Sequence, residues 1–193
     1  MSKLKFLHKF IKNRREIGSI TPSSRFLANK VVRKSDIKNS QVIVELWAWT
    51  WSFTKKIFEN LGEEKQKKIF IIEKDKGLYE LLLKKFPTKK QYIFNIDVLD
   101  IKELLIKNKV NSVDLIISWL PFKSLPLEIF YFIMKEFLPE FSNKNTLFIQ
   151  FSYFKNFSLM LEDYFFYVEK KICFLNIPFA NIFRCKKFWN KKC

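Results

Sequence analysis

Glycine is nearly missing from this chain, with three residues in 193 against an average usage of ~7%. Any loop that turns sharply against a ligand must therefore do so with another residue type. Histidine occurs once, as His8 in a basic N-terminal stretch. That argues against a histidine-based catalytic triad and a multi-histidine metal site, and no metal is expected. The three cysteines, Cys173, Cys185 and Cys193, are odd in number and spaced for neither zinc nor a disulfide framework. They are expected to be reduced thiols in a cytoplasmic protein. No run approaches the ~18–20 apolar residues of a membrane span. The N-terminus alternates lysine with apolar residues and shows no signal-peptide core. Acidic residues are also few: 19 Asp and Glu face 36 Lys and Arg, a net charge of +17. Such an excess favours an anionic partner, either phosphate-rich nucleic acid or an anionic membrane surface.

What is present is a hydrophobic, phenylalanine-rich chain. Apolar residues make up 48% and Phe alone numbers 23, so the composition is that of a folded protein, and 193 residues suffice for one full core. Residues 3–15 read as a basic amphipathic helix. Leu4, Leu7, Phe10 and Ile11 share one stripe, and Lys5, Lys9, Lys12, Arg14 and Arg15 lie outside it. Such a helix either lies in a lipid headgroup layer or packs on the domain with its charges in water. A loop over 17–25 follows, in which Ser23 or Ser24 is placed to cap a helix over Arg25–Arg33.

From residue 41 strands and helices alternate. Strands are expected at 42–46, 69–72, 92–94, 113–117 and 146–151, and helices at 52–61, 77–86, 100–108 and 126–138. Residues 165–187 read as a hairpin-like addition to the sheet edge, turning around Asn176-Ile177-Pro178. Short apolar strands separated by helices predict a mostly parallel sheet covered on both faces, a Rossmann-like α/β fold. The expected organisation is one domain over 1–193, with a helical extension (1–34) and an α/β core (41–187).

In such sheets ligands bind beyond the carboxyl ends of the strands, and those positions are chemically patterned. Strand one runs into Glu45-Leu46-Trp47-Ala48-Trp49-Thr50-Trp51, strand two ends at Glu73-Lys74-Asp75, strand three leads to Asp97, and strand four leads to Ser118-Trp119-Leu120-Pro121-Phe122. A carboxylate after strand two can accept both hydroxyls of a ribose, and an Asp after strand three suits the amino group of adenine. Together they outline a nucleoside pocket.

These segments carry a family resemblance over almost the whole chain. The stretch from Phe6-Leu7 through Ile17-Gly18-Ser19-Ile20-Thr21-Pro22-Ser23-Ser24-Arg25-Phe26-Leu27-Ala28 resembles the N-terminal signature of bacterial phospholipid N-methyltransferases. Val44-Glu45-Leu46 with Ala48 and Thr50 resembles their glycine-rich S-adenosylmethionine (SAM) loop. Glu73, Asp97, the run 117–122, Gln150-Phe151-Ser152-Tyr153 and Asn176-Ile177-Pro178-Phe179-Ala180 are similar to the later motifs. The resemblance implies a seven-stranded class I methyltransferase fold and SAM as cofactor. Glu73 would hold the ribose and Asp97 the adenine, with Lys74 and Val98 beside them. Glu45, Trp47, Ala48, Trp49 and Trp51 would pass under the methionine and ribose, with Ser118 closing the site. Tyr153 and Asp97 are the candidates to orient the amine. Lys5, Lys9, Lys12, Arg14, Arg15, Ser23, Arg25, Leu120 and Pro121 are the candidates for membrane and substrate contact. The implied substrate is phosphatidylethanolamine at the inner membrane face. The alternative is an RNA methyltransferase of the rRNA adenine dimethyltransferase type, whose Asn-Leu-Pro-Tyr-like motif is matched here only by its Leu-Pro pair.

The chain departs from that family where its loop should carry glycine. Trp47, Trp49 and Trp51 stand there, and Trp119 stands where a small residue is expected. One replacement repeated four times is not drift. The glycine codon GGA and the triplet UGA differ by one base, and UGA is read as glycine in some bacteria and as tryptophan under other codes. Two readings stand: either these positions are glycine in the cell, or the tryptophans are genuine and the protein is a non-catalytic, membrane-associated relative.

Overall fold

The computed structural model describes residues 22–48, 51–61, 66–152, 157–174 and 180–189, with side chains from Phe26 onward. Helix α1 (Pro22–Val31) and the short α2 (Lys34–Lys38) precede β1 (Val42–Leu46). Then α3 (Ser52–Asn60), β2 (Lys68–Ile72), α4 (Lys76–Lys85), β3 (Ile93–Phe94), α5 (Ile101–Lys107) and β4 (Leu115–Ser118) alternate. Helix α6 (Leu127–Phe132) passes through a π-helical turn (Ile133–Phe137) into α7 (Leu138–Phe141). Strand β5 (Leu147–Ser152), α8 (Phe157–Glu162) and the pair β6 (Phe165–Cys173) and β7 (Ala180–Phe188) complete the fold.

The seven strands form one sheet in the order β3-β2-β1-β4-β5-β7-β6. The first five are parallel, and β7 joins β5 antiparallel with β6 outside it. The expected mostly parallel sheet with an edge hairpin is therefore the observed one. Alternation along the buried strands sorts side chains to two faces. Ile43, Ile69, Ile71, Leu115, Ile117 and Ile149 pack under α1 to α4. Val44, Leu46, Phe70, Ile72, Ile116 and Phe148 pack under α5 to α8. Burying each such side chain stabilises the fold by about 1.5–3 kcal/mol.

Several boundaries differ from expectation for local reasons. Helix α1 begins at Pro22, three residues before the expected Arg25. Proline's fixed φ suits a first helical turn, which puts Ser23, Ser24 and Arg25 inside the helix instead of at its cap. Strand β3 has two residues because Pro87 opens a 3₁₀ turn over Pro87–Tyr92. Helix α4 starts where Asp75 caps it, accepting from the Leu78 N–H at 2.9 Å, and ends with Lys84 and Lys85 at its negative pole.

Candidate functional site

The strand order reverses between β1 and β4, and a crevice at their carboxyl ends follows from that topology. The loop from β1 to α3 crosses this edge. It is pinned by backbone bonds from Ala48 N–H to the Ile72 carbonyl (3.1 Å), Trp119 N–H to the Leu46 carbonyl (3.1 Å) and Trp51 N–H to the Ala48 carbonyl (2.9 Å).

Two carboxyl groups are buried at this edge. Glu45, at 1% exposure, accepts from the Thr54 hydroxyl at 2.7 Å through Oε2, while Oε1 has no partner among the described residues. Burial raises its pKa to about 8, against the pull of the Thr54 bond. Glu73, also 1% exposed, accepts from the Asp75 N–H at 2.8 Å through Oε1, and its Oε2 is likewise without a partner there. Burial raises its pKa to about 7. A buried acceptor without a donor is costly and calls for an explanation. A vicinal diol, which brings O–H donors, supplies one.

Asp97 follows β3. One carboxylate oxygen is paired with Lys74, and the other accepts from the Leu99 N–H at 3.3 Å. The structure thus brings Lys74 and Asp97 together as an ion pair, with Lys74 largely in solvent. Asn95 bridges the carbonyls of Glu73 (2.8 Å) and Lys74 (3.0 Å), tying the ends of β2 and β3. Val98 is buried at the start of the 3₁₀ turn Val98–Asp100. Ser118 is fully buried, and its hydroxyl accepts from the Leu120 N–H at 3.3 Å. Leu120 does not fit the expected lipid contact, because its side chain lies in the core under α5 to α8; only its neighbour Pro121 is partly exposed. Gln150, whose amide nitrogen donates to two backbone carbonyls beside this segment, is signalled by the sequence only as part of a motif. Lys5, Lys9, Lys12, Arg14, Arg15, Trp49 and Tyr153 lie outside the described residues, and the side chains of Ser23 and Arg25 do too.

The tryptophans behave differently from one another. Trp47 has φ 65° and Trp51 φ 46°, in the left-handed region that favours glycine. Trp51 is the N-cap of α3, with no side-chain cap bond, and its indole N–H is buried without a partner among the described residues. Lys85 sits 4.6 Å from its ring centroid. Trp47 touches the apolar clusters of both sheet faces, so its indole lies across the carboxyl edge of β1. Trp119 is instead comfortably packed, with ring centroids 4.4 Å from Phe53 and 4.5 Å from Phe151. The acidic groups therefore fit a nucleoside ligand, while the left-handed backbone at 47 and 51 suits glycine better than tryptophan.

No family model matches the chain. It is 31% identical over 125 residues to the ornithine lipid N-methyltransferase of Singulisphaera acidiphila, a match covering 64% of each chain. It is 32% identical over 104 residues to ribosomal RNA small subunit methyltransferase A of Pelagibacter ubique, covering 54% of this chain and 37% of that one. The chain thus spans less than two thirds of the length of these curated relatives. Among solved structures, a SAM-dependent methyltransferase from Aquifex aeolicus superposes with a TM-score of 0.58 at 11% identity, covering 91% of this chain and 97% of that one. A T. thermophilus 16S rRNA methyltransferase, solved with AdoMet and guanosine, gives 0.60 at 15% identity over 88% of this chain and 44% of its own. At such identities the likeness establishes the fold.

Proposed function

We propose that this chain, built on the class I methyltransferase fold, is a SAM-dependent methyltransferase that N-methylates the amine headgroup of a membrane lipid at the inner membrane face. The observation that carries the reading is Glu73, a buried carboxylate beyond β2 with one oxygen held by the backbone and the other buried without a partner among the described residues, an acceptor that a ribose hydroxyl would satisfy. Asp97 lies one strand further out, suited to the adenine amino group. Bound SAM supplies an electrophilic methyl group. The chain's own residues hold the nucleoside, align the amine and keep water from the reacting atoms. The likeness to an ornithine lipid N-methyltransferase supports an amine-headed lipid and widens the headgroup beyond phosphatidylethanolamine. Residues 3–15 lie outside the described residues; the membrane contact is assigned to them from their basic amphipathic sequence pattern. Among the described residues no helix is long and apolar enough to cross a membrane.

The reading carries a condition: positions 47 and 51 are glycine in the cell. Their left-handed backbone and the stranded Trp51 N–H support that reading of the codons; position 119 shows packing without strain. Peptide mass spectrometry of the native protein at positions 47, 49, 51 and 119 tests the condition. Glycine at 47 and 51 predicts SAM binding. Tryptophan there turns the protein into a membrane-binding relative without a cofactor. A second reading, an RNA substrate, is supported by the rRNA methyltransferase likeness and the +17 charge.

A further inference from the structure

Gln150 is 1% exposed and stands on β5 directly opposite Ser118, the last residue of β4. Residues paired across parallel strands project to the same face, and Ile116 and Phe148, two positions earlier, identify it as the face under α5 to α8. The Gln150 Nε2 donates to two backbone carbonyls, that of Leu120 at 3.0 Å and that of Phe151 at 2.6 Å. Carbonyls accept and never donate, so these bonds determine which end of the amide is which. The other end, Oε1, is buried and has no partner among the described residues. An acceptor is thus locked in place beside the segment leaving β4, with nothing among the described residues to satisfy it.

We infer that Gln150 Oε1 accepts a hydrogen bond from the N–H of the attacking amine and aims the nitrogen lone pair at the methyl donor. The inference rests on the methyltransferase reading above and deepens it. In the transfer the lone pair forms the N–C bond while the C–S bond breaks with its electrons to sulfur, so the sulfonium becomes a thioether and the amine an ammonium. A proton on that ammonium then leaves to water. Only an unprotonated amine can attack. A neutral amide orients an N–H without holding the nitrogen in its charged form, which a carboxylate would do. The acceptor has a partner while the amine carries an N–H. A neutral dimethylamine has none, so transfer to a dimethylamine headgroup receives no help from Gln150.

The test follows from that asymmetry. In the natural protein, Gln150→Met should slow transfer to primary-amine and monomethylamine headgroups on the order of 10²-fold, the cost of losing alignment at a reacting centre. Transfer to a supplied dimethylamine headgroup should stay within about twofold of the wild type, since alignment there never involved this bond. Calorimetry with short-chain lipids should show wild type preferring an amine headgroup over a trimethylammonium one, and Gln150→Met losing that preference. Because methionine also releases the Leu120 and Phe151 carbonyls, Gln150→Glu, which gives up the same amide donors, serves as a second variant. It keeps the acceptor, so it should keep the amine preference, with a rate optimum moved to higher pH. Equal slowing with all three headgroups, or a wild type indifferent to the headgroup, would overturn the inference. A wild type that prefers the amine but transfers no methyl would sink the methylation reading and leave the amine bond standing.

Discussion

Replacing Glu73 by glutamine probes the nucleoside site most sharply, because the group titrates where binding can be measured. Its pKa is raised to about 7, chiefly by burial. A ribose diol donates to the carboxylate and favours its ionised form, so binding selects that form and releases a proton. The apparent dissociation constant is the intrinsic one divided by the ionised fraction. That fraction is about one half at pH 7 and roughly one tenth at pH 6. Affinity for S-adenosylhomocysteine should therefore fall about fivefold from pH 7 to 6 and gain about twofold from pH 7 to 8.5. In Glu73→Gln the fivefold fall between pH 7 and 6 should vanish, and affinity at pH 8 should drop by roughly 10–100-fold, as expected for losing a charge-assisted hydrogen bond. Titration calorimetry in two buffers of different ionisation enthalpy would count the released proton directly. Affinity that rises as pH falls, or an unchanged slope in the glutamine variant, would refute the assignment of the ribose to Glu73.

Other outcomes follow from the same structure. Arg184 on β7 forms a nearly buried pair with Asp36 in α2 at 2.7 Å and a longer one with Glu169 on β6 at 3.9 Å, so Asp36→Ala should cost at most about 3–5 kcal/mol by leaving the guanidinium with only the Glu169 contact; thermal denaturation reads this, and Asp36→Ala with Arg184→Met should recover part of it. Because burial raises the pKa of Glu45 to about 8, the folded state holds a proton that the unfolded chain has lost above about pH 4.5. Its contribution to stability is thus full below that value and is lost as pH rises through about 8, on the order of a few kcal/mol, and Glu45→Gln should flatten the melting profile over that span. Deleting residues 3–15 should weaken binding to anionic liposomes in flotation assays, while unchanged binding would remove the membrane role of that segment.

The parallel sheet was legible because its strands are buried on both faces and read as short continuous apolar runs between amphipathic helices. The elements that escaped are those whose patterns are too short to carry a period. Helix α2 offers a single buried residue, Ile37, and α8 spans six residues. The acidic strand ends were legible as chemistry, since Glu73 and Asp97 both follow strands. Their partners were not: the Lys74–Asp97 pair and the bridge from Asn95 depend on how β2 and β3 lie side by side. Gln150 shows the same limit, because an orphaned amide oxygen exists only once β4 and β5 are in register. The tryptophans stood out by type, but only the backbone separates Trp47 and Trp51, in left-handed conformations, from the well-packed Trp119.

The most direct test of the central claim is methyl transfer from labelled SAM by the natural protein, offered amine-headed lipid vesicles and ribosomal RNA side by side. Label appearing in the lipid amine and not in RNA is the predicted result. Label confined to RNA would replace the lipid reading with an RNA methyltransferase on the same fold, and label in neither would contradict catalysis.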